Sequence, residues 1–480
     1  MVLVAGVDSS TQSTTVEVRD ASSGSLVASG SAPHPAVTPP TAEQDPAAWE
    51  RAFEAAFAAA GAPRIEAISI AGQQHGLVAL DADGEVVRPA KLWCDTTSAP
   101  DAAWLLARGP GSAAGWAEAC GLVPVASHTI TKLSWLHREE PGSWARLARV
   151  CLPHDWLTWR LCGEFVTDRG DASGTGYWSA AEEAYRFDLL EIVDGERDWS
   201  AALPRVCGPA ERVGRWERGG PAVGPGTGDN MGAALGLGLA RGEVAVSIGT
   251  SGTVYTVAES ASADPRGEVA GFADATGRYL PLVCTLNAAK VTDAAARLLG
   301  VGHEELDALA LAAPSGARGL TLVPYFDGER TPDRPSARGL VAGLRSDVSR
   351  EEFARAAFEG VVCGLLDGLD SLARHAPAAG AITLVGGGAA SRAYPRILAD
   401  LSGRPVRVVE EPGSMVALGA CIQAAAVLDN ASPESVRAAW PMGAASMVEP
   451  DPAVDAAAVR EAYALRREES VANPDGAANR

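Results

Sequence analysis

The chain has no surplus of positive charge. Its 480 residues hold 40 Lys and Arg against 60 Asp and Glu, a net charge of −20. Without that surplus it lacks the counter-charge that a nucleic-acid binder sets against phosphates. No GK dipeptide occurs, so there is no Walker loop, and no GxGxxG follows a strand, so the dinucleotide fingerprint is missing too. The 8 cysteines are scattered, with no CxxC and no Cys/His cluster. That argues against a disulfide framework or a zinc site and fits thiols in a reducing cytosol. No apolar run approaches the roughly 20 residues of a membrane span. The first apolar run has no basic start and stops at Asp8, which reads as a strand and not a signal peptide.

What is present is an α/β pattern written twice. VAGVDSSTQSTTVEVRD (4–20) and EVAVSIGTSGTVYTVAE (243–259) are both β-branched runs broken by a knot of Gly, Ser and Thr. The length predicts two domains, and the repeated hairpin sets them at 1–242 and 243–480. DPAAWERAFEAAFAAAG (45–61) predicts a helix with Asp45 as cap, Pro46 in the first turn and Gly61 at the end. Ser349 and Glu352 form a capping-box pair before a long apolar stripe (349–369). AITLVGGGAASRAYPRILADLSG (381–403) reads as strand, Gly-rich turn and helix, and SMVALGACIQAAAVL (414–428) as a tightly packed Ala/Gly helix. The tail from about 466 is polar and expected to fray.

Each Gly/Ser/Thr turn exposes backbone N–H groups and hydroxyls, which are donors suited to an anion. In the first turn these are Ser10 and Thr11, and in the second Gly249, Thr250, Ser251 and Gly252. Either turn alone is also an ordinary hairpin. Two in matching places suggest a polyphosphate gripped from both sides. A carboxylate at Asp8 would repel such a ligand unless a divalent cation lay between them, and Mg²⁺ favours one or two carboxylates with phosphate oxygens. Asp229 sits in GPGTGDN, where glycines 224, 226 and 228 admit a ligand close to the backbone. It is either a turn aspartate or the base that takes a proton from an attacking hydroxyl. Gln73, Gln74 and His75 form the polar loop that ends the strand stretch IEAISIAGQQHG (65–76) and suit polyol recognition, with Trp93 as an aromatic wall and Asp95 as an acceptor.

SHTITKLSWLHRE (127–139) and GLVAGLRSDVSREEFARAAFE (339–359) resemble the two signatures of the FGGY carbohydrate kinases, and the likeness runs over about residues 2 to 430. AGQQHG (71–76), KLWCD (91–95), GTGDN (226–230), SIGTSG (247–252), PYFDGERTP (324–332) and VGGGAASRAYPRILADLSG (385–403) are similar to that family as well. The resemblance implies two actin-like (ribonuclease H-like) lobes, each a mixed sheet flanked by helices, with ATP and sugar in the cleft. It implies Asp229 as the base on the terminal hydroxyl of a ketopentose, D-xylulose first, and Asp8 beside the phosphates and Mg²⁺. Gln74, His75, Asp229 and Asn230 would contact the sugar. Thr250, Ser251 and Gly252 would hold phosphate, and Gly387, Gly388 and Ala389 would line the adenosine side. A homodimer follows from family habit, with neither nucleic acid nor membrane as partner.

The chain departs from the family at three places. Thr15 stands where the first phosphate loop often carries Lys or Arg, Ala390 where Arg often follows the glycines, and Gln74 where some relatives have Met. The alternatives are a kinase of the same family acting on D-ribulose, L-ribulose or another polyol, and a non-catalytic nucleotide switch on the same fold. The Gln73–His75 loop and Asp229 argue against the switch.

Overall fold

The computed structural model describes every residue except 217–219, 411–412, 442 and 473–480. The described chain forms two compact units. The first comprises 1–240, 257–281 and 412–442, and the second 241–256, 282–411 and 443–480. A single cut at 242 therefore marks only the first crossing between them.

In the first unit β1 (Leu3–Ser9), β2 (Ser13–Asp20) and β3 (Leu26–Pro33) form an antiparallel meander. β4 (Ala67–Gly72) lies parallel to β1, and β5 (Ala222–Val223) parallel to β4, giving the order β5-β4-β1-β2-β3. In the second unit β6 (Val244–Ile248) and β7 (Gly252–Thr256), with the Leu282–Thr285 part of β8 (Tyr279–Thr285), repeat the meander. β9 (Ile382–Val385) and β10 (Val406–Val409) repeat the parallel pair, and the order β10-β9-β6-β7-β8 matches the first unit strand for strand. The doubled hairpin of the sequence is thus the first hairpin of each sheet.

Helix α1 (Pro46–Ala59) starts where Asp45 accepts a hydrogen bond from the Ala47 N–H, and buries Trp49, Phe53 and Ala56 against the sheet. Three further helices are α2 (Pro153–Cys162), α3 (Asp229–Leu237) and α4 (Arg350–Ala373). The α4 capping box closes both ways between Ser349 and Glu352. α5 (Met415–Asp429) is apolar all round because it is buried all round, and it belongs to the first unit. Its small residues allow that. A Cβ on Gly419 would collide with the Gly232 carbonyl of α3, and one on Gly6 of β1 would collide with the Ala417 carbonyl. This close packing fixes the start of α3 relative to the end of β1. The tail expected to fray from about 466 is helical as far as Ala472, in a helix that begins at Ala456. Residues 473–480 lie outside the described residues.

Candidate functional site

In the first unit, strand register brings the acids together. Asp8 pairs with Ala71 of β4, and Thr227 pairs with Ala71 from the other side. Asp8 and the GTGDN loop therefore stand on either side of one strand, at the carboxyl ends of parallel strands, where α/β sheets place their ligands.

Asp229 is the first residue of α3, and its Oδ1 accepts from the Asn230 backbone N–H and Nδ2, both at 2.8 Å. Desolvation and the charge of Asp8 raise its pKa to about 7. Asn230 Nδ2 also donates to Gln74 Oε1 at 2.9 Å, which ties Asp229, through Asn230, to the polar loop. Gly228 makes that approach possible, since a Cβ there would stand 2.8 Å from Gln74 Cγ. Gln73 Nε2 and Gln74 Nε2 are buried donors without a protein partner among the described residues. Buried amides are normally satisfied, so these two could donate to the oxygens of a ligand. His75 has φ 65°, a left-handed conformation uncommon for a side-chain residue, and its ring lies 5.5 Å from both His128 and Phe272.

Asp8 Oδ2 accepts from Ser414 Oγ at 2.8 Å, and Oδ1 is buried with no hydrogen-bond partner among the described residues. Burial, with Glu17 as a smaller cause, raises the Asp8 pKa to about 6, against the opposing Ser414 bond. Glu17 is itself buried, paired with Arg19 at 2.8 Å, and accepts from the Ser414 N–H. Ser414 therefore caps α5 and holds Asp8 with the same hydroxyl. Sequence reasoning missed both Ser414 and Glu17. The N-cap position of Ser414 was legible, but its distant partner was not.

Three expected contacts change character. Asp95 is fully buried and both its oxygens are spent, on Lys91 Nζ (3.1 Å), the Ala42 N–H (2.9 Å), the Thr97 N–H (3.0 Å) and Thr97 Oγ1 (2.5 Å). Burial pushes its pKa up, but these partners outweigh that and hold it below the usual value. It works as a brace for the loop and not as a free acceptor. Thr11 Oγ1 donates to Gln73 Oε1 at 3.1 Å and accepts from Trp93 Nε1 at 2.9 Å, so its hydroxyl organises the Gln73–His75 loop. Ser10 Oγ closes its own turn on the Ser13 carbonyl at 3.0 Å. What this turn offers a phosphate is backbone, because both hydroxyls are committed.

In the second unit, the carbonyls of Gly249 and Thr250 accept from the Ala289 and Ala288 N–H groups, at 2.8 and 3.2 Å. The Gly249 N–H closes the turn on the Ser251 carbonyl at 2.9 Å. Both carbonyls are thus used internally, and Thr250 and Ser251 stand at the tip of the turn between β6 and β7. A Cβ on Gly252 would meet Leu365 at 2.7 Å, and one on Gly388 would meet Ile248 at 2.5 Å, so these glycines serve close packing. Gly387 has open space around it. Beside Ala389 lies a cavity of about 680 Å³, lined among others by Leu311, Ala390, Pro395, Val408 and Val448. Its wall is mixed, with Arg392, Arg396 and Glu410 beside these apolar side chains.

Comparison with known proteins adds the following. Residues 3–232 match the N-terminal domain of the FGGY family of carbohydrate kinases, and residues 244–428 match its C-terminal domain. The chain is 46% identical to the xylulose kinase of Streptomyces coelicolor over 448 residues, covering 91% of this chain and 90% of that protein. It is 45% identical to the xylulose kinase of Streptomyces rubiginosus, covering 93% and 92%. The crystal structure of xylulose kinase from Bifidobacterium adolescentis is similar with a TM-score of 0.85 and 41% identity, covering 97% of this chain and 99% of that one.

Proposed function

The chain belongs to the FGGY family of carbohydrate kinases, and from that premise we propose that it transfers the γ-phosphoryl group of ATP to the terminal hydroxyl of D-xylulose. The relatives named xylulose kinase, at 45–46% identity, support the sugar. The observation that carries the chemistry is Asp229, a carboxylate at a helix start with a pKa of about 7, tied through Asn230 to Gln74. A general base works best when its pKa lies near the operating pH.

In this reading Asn230 holds Asp229 Oδ1, which leaves Oδ2 to receive the proton of the sugar hydroxyl. The hydroxyl oxygen forms a bond to the γ-phosphorus. The bond from that phosphorus to the β,γ-bridging oxygen breaks, and its electron pair leaves with ADP. Gln73 Nε2 and Gln74 Nε2 donate to sugar oxygens, and Trp93 covers an apolar face of the sugar. Thr250 and Ser251 donate to phosphate oxygens. A divalent cation fits at Asp8, whose Oδ1 is buried without a hydrogen-bond partner among the described residues and whose carboxylate is crowded by Glu17. Bound there, Mg²⁺ would neutralise phosphate charge.

The test is sugar-dependent ADP release with MgATP across D-xylulose, D-ribulose, L-ribulose, glycerol and gluconate. The expected result is the highest kcat/KM with D-xylulose. A higher value with another sugar removes the substrate assignment and leaves the kinase. ADP release that no sugar raises above the no-sugar rate would argue for the nucleotide-switch alternative.

The pH profile follows from the same site. A base acts only when ionised, so kcat/KM should rise with pH, reach half its plateau near pH 7, and stay high above it. A profile flat from pH 5.5 to 8 would contradict the assignment of Asp229.

A further inference from the structure

We infer that His154 and Asp168 are positioning residues that aim Asp229 through Thr227. This rests on Asp229 being the base, as proposed above. His154 is fully buried near the start of α2, and its Nε2 lies 3.2 Å from Asp168 Oδ1, 3.3 Å from Asp155 Oδ1 and 3.4 Å from Asp171 Oδ2. The second oxygen of Asp168 accepts from Thr227 Oγ1 at 3.0 Å, two residues before Asp229. Asp168 is anchored in turn by the N–H groups of Gly170 (2.7 Å) and Asp171 (3.0 Å). Asp168 is thus fixed by hydrogen bonds from Thr227, Gly170 and Asp171, with the His154 ring at ion-pair distance and not hydrogen-bonded to it among the described residues.

The loop is gripped from a second direction. Gln423 of α5 donates to the Gly226 carbonyl at 3.0 Å, and accepts from Ser69 Oγ of β4 at 2.5 Å. Gly226 has φ 82°, and a Cβ there would stand 2.5 Å from His154 Nδ1 and 2.7 Å from the Ile70 carbonyl. Only glycine fits between the imidazole and the strand. Consecutive residues of the loop are therefore fixed, Gly226 by Gln423 and His154, and Thr227 by Asp168. The next two residues are Gly228 and Asp229.

The charges explain why a histidine stands here. Burial alone would keep the ring neutral, but Asp155, Asp168 and Asp171 outweigh it and raise the His154 pKa to about 9. Burial also raises Asp155 to about 6 and Asp171 well above the usual carboxylate value. The imidazolium offsets the buried negative charge that would otherwise force these acids apart. Misplacing a catalytic group by about 1 Å can cost on the order of 100-fold in rate. A post of this kind acts on kcat without touching the substrate.

The experiment compares Thr227→Val, Thr227→Ser and His154→Gln with Asp229→Asn, measuring kcat, the KM for each substrate and the unfolding temperature. Thr227→Val keeps the shape and removes the hydroxyl. It should lower kcat by roughly 10-fold or more, with the KM for ATP unchanged within about twofold. Thr227→Ser restores the hydroxyl and should recover most of kcat, and His154→Gln should lower kcat in the same way as Thr227→Val. If Thr227→Val keeps wild-type kcat, or Thr227→Val and Thr227→Ser lose activity equally, the inference is overturned. The Asp229→Asn arm separates the two readings. If it retains turnover, the assignment of the base fails, whereas if it is inactive beside a fully active Thr227→Val, only the positioning role falls.

Discussion

Asp229→Asn should lower turnover by about 10²–10⁴-fold, the usual contribution of a general base, and leave ATP binding close to wild type. The substitution keeps the size and the hydrogen bonds to Asn230, and removes the ability to accept a proton. Nucleotide binding should survive because the turn at Gly249–Ser251 and the cavity beside Ala389 belong to the second unit, each built from its own unit's residues. Sugar-dependent ADP release and calorimetric titration with ADP would measure the two effects separately. Wild-type turnover in this variant would remove Asp229 from the mechanism.

Asp8→Asn should separate activity from stability. Removing the carboxylate takes away the proposed cation ligand. Turnover should then fall by on the order of 100-fold, about 2.7 kcal/mol of lost charge stabilisation, with a raised Mg²⁺ requirement. The folded protein should nonetheless become no less stable at pH 8. The Asp8 pKa is raised in the fold from 3.8 to about 6, so the fold favours the protonated form. The stability this brings is fully present below pH 3.8 and is lost as pH rises through about 6. At pH 8 the charged carboxylate therefore disfavours the folded state, by on the order of 1–2 kcal/mol once solvent screening is allowed for. Asparagine removes that cost and can still accept the Ser414 bond. Thermal unfolding should show Asp8→Asn equal to or above wild type at pH 8, with the difference shrinking towards pH 4. A large loss of unfolding temperature at pH 8 would mean that the carboxylate is a structural keystone instead.

The glycine requirement of the GTGDN loop was visible in the spacing, but its reasons were not. Gly226 answers to His154 and Gly228 to Gln74, residues about 70 and 150 positions away in the chain. Asp95 shows the converse. Its neighbours in KLWCDTT made it look like a sugar acceptor, whereas the fold surrounds it with Lys91, Thr97 and the Ala42 N–H. Ser10 and Thr11 were legible as donors in a turn, yet both hydroxyls are spent inside the protein.

By itself the sequence determined the class of the fold, its two-part repeat and the kind of chemistry. Hairpins, caps and apolar periodicity are local properties, written within a few residues, and the family's motifs are continuous strings. Only the tertiary structure decided which polar groups are free. Whether a carboxylate is a ligand, a brace or a post depends on partners brought in from distant parts of the chain, and on how much water the packing removes. Asp8, Asp95, Asp168 and Asp229 are the same residue type, and their different surroundings make them a crowded half-free acid, a saturated brace, an anchored post and a carboxylate with a pKa near 7.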